Sequence, residues 1–256
     1  MSAPEFPPEI ATDIIVEEIR HPPWLVYAAG ALAAATLVTV ALGATVARGE
    51  GLAIDRAIML ALRDRHDLRV PLGPVWLKQA MIDLTALGGA NLLPVIVAAA
   101  AGFLALIRRW LTLALVLAGT ISGSLAVGLA KAAVARPRPA VVDHLVEVGS
   151  ASFPSGHAAN SAIVYLTLAL LLSQIIERPA ARGYVIGMAG LLVGAIGVSR
   201  VYLGVHWPSD VIGGWSFGVL WALGWWSLGG WIRLRRAPAV PVLPSGAAHR
   251  PSARQG

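Results

Sequence analysis

The chain has 256 residues, 57% of them hydrophobic and 13% charged, with a net charge of +6 and no cysteine. A soluble domain carries roughly 25% charged residues, so too little polar surface is present to cover a water-exposed globule, and the chain reads as a membrane protein. The missing thiols exclude a disulfide framework, thiolate zinc sites, iron–sulfur clusters and a cysteine nucleophile, and the excess of Lys and Arg points to lipid headgroups or anionic substrates. No arginine-rich arm or aromatic-basic module suggests nucleic acid.

An acidic segment, residues 1–23 with Glu5, Glu9, Asp13, Glu17 and Glu18, precedes a first apolar run from Trp24 to Val46. That run is too long for a signal-peptide core and its leader is acidic, so it reads as a retained span. From Leu52 to Leu68 the pattern predicts an amphipathic helix on the membrane surface. Ile54, Ile58 and Leu62 lie on one face, with Asp55, Arg56, Arg63 and Asp64 on the other. Five more apolar stretches follow, at Asn91–Ile107, Trp110–Ala130, His157–Ile176, Gly183–Val198 and Val211–Ile232. The second and fifth of the resulting six spans are short for ~30 Å of hydrocarbon. The fold class is an all-α integral membrane protein: residues 24–236 form about six transmembrane helices with a helical-bundle core and one amphipathic surface helix. Residues 237–256, rich in Pro, Ala, Ser and Gly, read as a disordered tail.

Two pairs of glycines at four-residue spacing, Gly119 with Gly123 and Gly190 with Gly194, predict close helix approaches. The tryptophans at 207, 215, 221, 225, 226 and 231 read as membrane-interface anchors.

Ionisable residues beside spans demand an account, and three clusters supply them. Lys131, Arg136 and Arg138 leave the third span, Ser152 to His157 enters the fourth, and Ser199, Arg200, His206 and Asp210 join the fifth to the sixth. Counting crossings puts all three clusters on one side. Several fixed cations, two histidines and a carboxylate suit phosphoryl transfer, whose transition state spreads negative charge over three oxygens. Lys131, Arg138 and Arg200 supply the countercharge. Ser155 is placed to cap the helix that Gly156 opens, whose free N–H groups make an anion cradle.

Asp210, one helical turn beyond His206, holds one ring N–H and leaves the other nitrogen as a nucleophile. His157 is placed to protonate the leaving oxygen. Too few carboxylates and histidines are present for a metal cage, so neither a metal nor another cofactor is expected. Arg136 suits the phosphate site or a headgroup equally. Asp143, His144 and Glu147 read as solvated loop residues, and Asp83 has no clear chemical partner.

In order and spacing the clusters resemble the type-2 phosphatidic acid phosphatase superfamily. Its signature is Lys, six residues, Arg-Pro; then Pro-Ser-Gly-His; then Ser-Arg, five residues, His, three residues, Asp. Lys131 with Arg138 and Pro139, Pro154 to His157, and Ser199, Arg200, His206 and Asp210 meet it at every position. The resemblance implies a metal-independent phosphatase acting on lipid phosphates or diphosphates, of the phosphatidate, phosphatidylglycerol phosphate or undecaprenyl diphosphate kind. It implies a phosphohistidine on His206, with His157 as acid and with Lys131, Arg138, Arg200, Ser155 and Gly156 on the phosphate. A sugar-phosphate phosphatase of the same fold and a non-enzymatic anion or lipid transporter are the alternatives. A vanadium haloperoxidase would share the site but is soluble.

Six spans put both termini on one side. Each side carries ten of the 20 Lys and Arg, but four on the far side belong to the phosphate site or its margin. The short basic turns near span ends then place the termini in the cytoplasm and the active site on the outer face of the plasma (inner) membrane.

Overall fold

A computed structural model describes residues 23–49, 52–174 and 176–236. The tail expected at 237–256, and all but the last residue of the acidic segment, lie outside the described residues. The described chain folds into eight helices: α1 Pro23–Ala47, α2 Ala53–Ala61, α3 Val75–Ala86, α4 Leu92–Leu106, α5 Trp110–Val134, α6 Gly156–Leu172, α7 Pro179–Tyr202 and α8 Pro208–Arg236. Four of them, α1, α5, α7 and α8, are long and apolar enough to cross a membrane, while α4 and α6 are shorter apolar helices. The all-helical expectation therefore holds, and of the six apolar stretches expected as spans four fall in helices long and apolar enough to cross; the second is short as expected, and the fourth rather than the fifth is the other short one. The stretch expected at Gly183–Val198 is the middle of a 24-residue helix, because Pro179 at its first turn and the polar Ser199-Arg200 both sit inside α7.

The breaks between helices set up the site. Proline at 137 and 139 stops α5, whose last N–H bond runs from Ala135, in left-handed conformation, to the Lys131 carbonyl at 3.0 Å. Gly204 ends the turn after α7 with φ +80°. A Cβ there would lie 2.6 Å from the Asp143 carbonyl oxygen and 2.7 Å from Arg63 Nη2. Only glycine fits, on both conformational and steric grounds. Pro208 opens α8, where its missing N–H costs no helical bond.

The bundle centre is the crossing of α8 over α6. A Cβ on Gly218 would meet Ala162 Cβ at 2.4 Å and the Ala159 carbonyl at 2.8 Å, so the backbones touch. Here α6 widens into a π turn over Ala162–Leu166. Of the two glycine pairs, Gly119 and Gly123 do receive Trp225 and Trp221 side chains. Gly190 and Gly194 face open space, which corrects the second predicted approach. Trp215 and Trp221 are packing residues rather than interface anchors: their indole N–H groups donate to the carbonyls of Val193 at 3.0 Å and Gly119 at 2.9 Å.

The predicted amphipathic helix is corrected most. It ends at Ala61, the chain turning back through an isolated bridge between Arg63 and Pro71. Its apolar Ile54 and Ile58 are exposed, whereas Asp55 and Arg63 are buried. The face turned into the protein carries Asp55 with Met59 and Leu62, while Ile54, Arg56 and Ile58 are exposed. Arg63 Nη1 donates to the Tyr202 carbonyl at 3.0 Å, satisfying one of the orphan carbonyls at the end of α7.

Candidate active site

The end of α5, the start of α6, the end of α7 and the start of α8 bring the three clusters to one end of the bundle. His206 is buried in the turn before α8. Its Nδ1 lies 3.5 Å from Asp210 Oδ2 and 3.4 Å from Ser152 Oγ, and its Nε2 lies 3.3 Å from Arg138 Nη1. Asp210 is fully buried, and both its oxygens are engaged. Oδ2 accepts the Trp207 backbone N–H at 2.9 Å and a short bond from the Ser152 hydroxyl, while Oδ1 accepts Arg136 Nη1 at 2.6 Å. Burial pushes the His206 ring down to about 4, against the pull of Asp210 and with help from the charges of Arg138 and Arg200. At neutral pH the imidazole is uncharged, and with the proton on Nδ1 its Nε2 lone pair faces Arg138 Nη1.

The three cations expected to bind phosphate lean on neutral partners. Lys131 Nζ donates to the Ala151 carbonyl at 2.7 Å. Arg138 donates from Nε to the Ser150 carbonyl at 2.7 Å and from Nη1 to the Val205 carbonyl at 2.6 Å. Arg200 Nη1 donates to the Thr85 hydroxyl at 3.0 Å. Among the described residues no ion pair joins any of the three to a carboxylate, so their charge is left for an anion. The Arg200 Nε and the Ser155 hydroxyl are buried without a hydrogen-bond partner among the described residues. Ser155 precedes α6 but makes no side-chain cap, which corrects that expectation. Gly156 follows it closely under Lys131: a Cβ there would stand 3.3 Å from Lys131 Cε.

His157 is half-buried on the first turn of α6, beside the turn after α3. A Cβ on Gly89 would stand 3.8 Å from its Nε2. The eight residues singled out from the sequence thus share one end of the bundle, with Arg138, His206 and Asp210 in direct contact.

Others were missed. Arg136 is no headgroup contact: Nη2 reaches Asp55 Oδ2 at 3.1 Å while Nη1 holds Asp210, all three side chains being buried. Asp55 in turn accepts the Ser209 backbone N–H at 2.8 Å and its hydroxyl at 2.5 Å. The signal for Asp55 lay in its sharing a helix face with Met59 and Leu62, which the polar-face reading passed over. His144 is not merely solvated, since its Nε2 meets the Pro139 carbonyl at 2.8 Å. Asp83 accepts a bond from Gln79 at 2.9 Å on the exposed side of α3. An open cleft of about 730 Å³ lined by His144 to Gly149 lies on one loop and contains none of the cations.

Residues 109–233 match the family model described as the PAP2 superfamily. Over 150 residues the chain is 39% identical to phosphatidylglycerophosphatase B of Bacillus subtilis (strain 168), covering 57% of this chain and 71% of that protein. The chain belongs to the PAP2 superfamily of membrane lipid phosphatases. A second relative is decaprenylphosphoryl-5-phosphoribose phosphatase of Mycolicibacterium smegmatis, 36% identical over 110 residues, or 42% of this chain and 53% of that protein. Among solved structures, a transmembrane PAP2-type phosphatidylglycerolphosphate phosphatase from Bacillus subtilis superposes with a TM-score of 0.68 at 27% identity. It covers 82% of this chain and 98% of that one. The multi-pass PAP2 membrane fold is thereby established for this chain.

Proposed function

We propose that this PAP2 phosphatase removes the terminal phosphate of a lipid phosphate or diphosphate through a phosphohistidine on His206. One observation carries the reading. Three cations whose hydrogen-bond partners are neutral share one end of the bundle with an uncharged, Asp-held imidazole, and one of them, Arg138, faces its Nε2 at 3.3 Å. Lys131, Arg138 and Arg200 receive the phosphoryl oxygens, the arginines as planar forks, with the Ser155 hydroxyl and the N–H groups after Gly156. Asp210 keeps the proton on Nδ1. The Nε2 lone pair then attacks phosphorus, the bond to the leaving oxygen breaks, and His157 passes its proton to that oxygen. Water next attacks the phosphohistidine, giving a proton back to His157, and the N–P bond breaks to release inorganic phosphate.

The spans beside the site and the names of both relatives support a lipid or lipid-linked substrate over a free sugar phosphate. A pure transporter would have no use for a histidine poised by an aspartate opposite a second histidine. We favour lipid diphosphates met on the outer face of the plasma membrane, with the termini in the cytoplasm. The basic turns at Arg108–Arg109 and Arg178–Arg182 support that orientation.

The test is acid-sensitive phosphoenzyme trapping with phosphatidate, phosphatidylglycerol phosphate and undecaprenyl diphosphate in turn. Label on His206, lost together with turnover in His206→Ala, is expected. Label on another residue, or turnover by His206→Ala, overturns the mechanism. A C-terminal alkaline phosphatase fusion that is active would reverse the orientation.

A further inference from the structure

We propose that Asp55 and Arg136 are positioning residues for catalysis: a buried pair that fixes the Asp210 carboxylate against His206 and keeps it off the phosphate-binding cations. The proposal rests on the reading of His206 as nucleophile and Asp210 as its partner.

The geometry divides the charges of the site into two sets. Both buried carboxylates close to the nucleophile, Asp55 and Asp210, are engaged by one guanidinium, through Nη2 at 3.1 Å and Nη1 at 2.6 Å. A buried carboxylate without a countercharge would turn toward the nearest cation, because an uncompensated charge in a low-dielectric interior is costly. For Asp210 that cation would be Arg138, already 3.3 Å from His206 Nε2. An Asp210–Arg138 pair would at once withdraw a phosphate ligand and release the imidazole from its tautomer. Arg136 prevents both by holding Oδ1, which leaves Oδ2 to the Trp207 N–H, Ser152 and His206.

Asp55 fixes Arg136 and the helix that carries Asp210 together. Its two oxygens accept from Ser209 N, Ser209 Oγ and Arg136 Nη2. The Ser209 N–H is one of the donors that the first turn of α8 cannot satisfy within the helix. Asp55 therefore caps α8 from α2, one residue before Asp210. The Arg136 guanidinium carbon also lies over the Trp207 ring, 5.5 Å from its centre, a cation–π contact with the residue that follows His206. Neither Asp55 nor Arg136 bonds His206 itself, so both act through Asp210.

The experiment uses the full chain in detergent micelles with phosphatidate as the probe, measuring kcat and KM for Arg136→Ala, Arg136→Lys, Asp55→Asn and Arg136→Ala combined with Asp55→Asn. Loss of an orienting interaction made through a catalytic group is expected to lower kcat by about tenfold or more with KM within about twofold. The double variant should lose no more than Arg136→Ala alone, because the two residues act as one unit. Guanidinium ion added to Arg136→Ala should restore part of kcat, an effect that a purely structural role would not give. Unchanged kcat in Arg136→Ala, a loss carried in KM alone, or no rescue overturns the proposal. If Arg136→Ala fails to fold, the near-isosteric Asp55→Asn decides: wild-type kcat in that variant overturns it. Phosphoenzyme mapping separates the two levels. Label on a residue other than His206 defeats the mechanism, whereas label on His206 with unmoved kcat in these variants defeats only the positioning pair.

Discussion

A single nitrogen of Arg138, Nη1, lies 2.6 Å from the Val205 carbonyl and 3.3 Å from Nε2 of His206. The guanidinium is thus held to the backbone one residue before His206 while facing its Nε2. In the proposed mechanism a phosphoryl group on Nε2 would lie beside this nitrogen.

Arg138→Lys tests that arrangement. Lysine keeps the charge but has one nitrogen, which cannot hold the Ser150 and Val205 carbonyls and also face phosphate. The expected loss in kcat/KM is on the order of 10²-fold, the scale of removing one donor aimed at transition-state charge. Steady-state kinetics with phosphatidate checks it, and a change under about threefold would count against the fork.

The pH dependence of stability carries a second expectation. Burial holds the folded His206 ring at about 4, below its ordinary 6.5, so the unfolded chain takes up the proton first as pH falls. The contribution is therefore fully present above about 6.5 and is lost progressively between there and about 4. Unfolding midpoints in detergent should fall over that window in the wild type and fall less in His206→Gln. Equal slopes would show that other groups govern the acid limb.

Two glycine substitutions should differ in sign. Gly218→Ala puts a methyl group into Ala162 and should cost ~1–3 kcal/mol by overpacking. Gly190→Ala enters open space on α7 and should stabilise by roughly 0.5–1 kcal/mol through backbone entropy. Thermal unfolding of the two variants beside the wild type decides the matter.

Chelation and vanadate give a fourth test. With Lys131, Arg138 and Arg200 as the countercharge, turnover is expected to survive EDTA. Orthovanadate should inhibit as a five-coordinate mimic of the transferring group. Activity lost to EDTA and restored by magnesium or zinc would place a metal in the reaction.

The chemical groups were legible in the sequence because each sits in a short motif at a span end, where an ionisable residue stands out. The helix expected at Leu52–Leu68 was misread for a physical reason. An amphipathic pattern states that a helix has two faces without saying which is buried, and here Asp55 is turned inward and Ile54 outward. Asp55 and Arg136 are 81 residues apart, and no local spacing joins them. Helix α3 was missed because Lys78, Gln79 and Asp83 interrupt its apolar run, although Thr85 at its end holds Arg200. The π turn of α6 lies where Gly218 packs against Ala162, a contact that hydropathy does not encode.

Gly204 has a consequence for anyone who maps this enzyme by random mutagenesis. It touches no phosphate oxygen and moves no proton, yet its backbone angle and the crowding by Asp143 and Arg63 leave room for one residue type alone. Any side chain there would displace the strand of chain that carries His206 two positions later. In a saturation library scored for growth or turnover, Gly204 would look as intolerant as His206, and intolerance by itself would not tell the chemist from the carpenter.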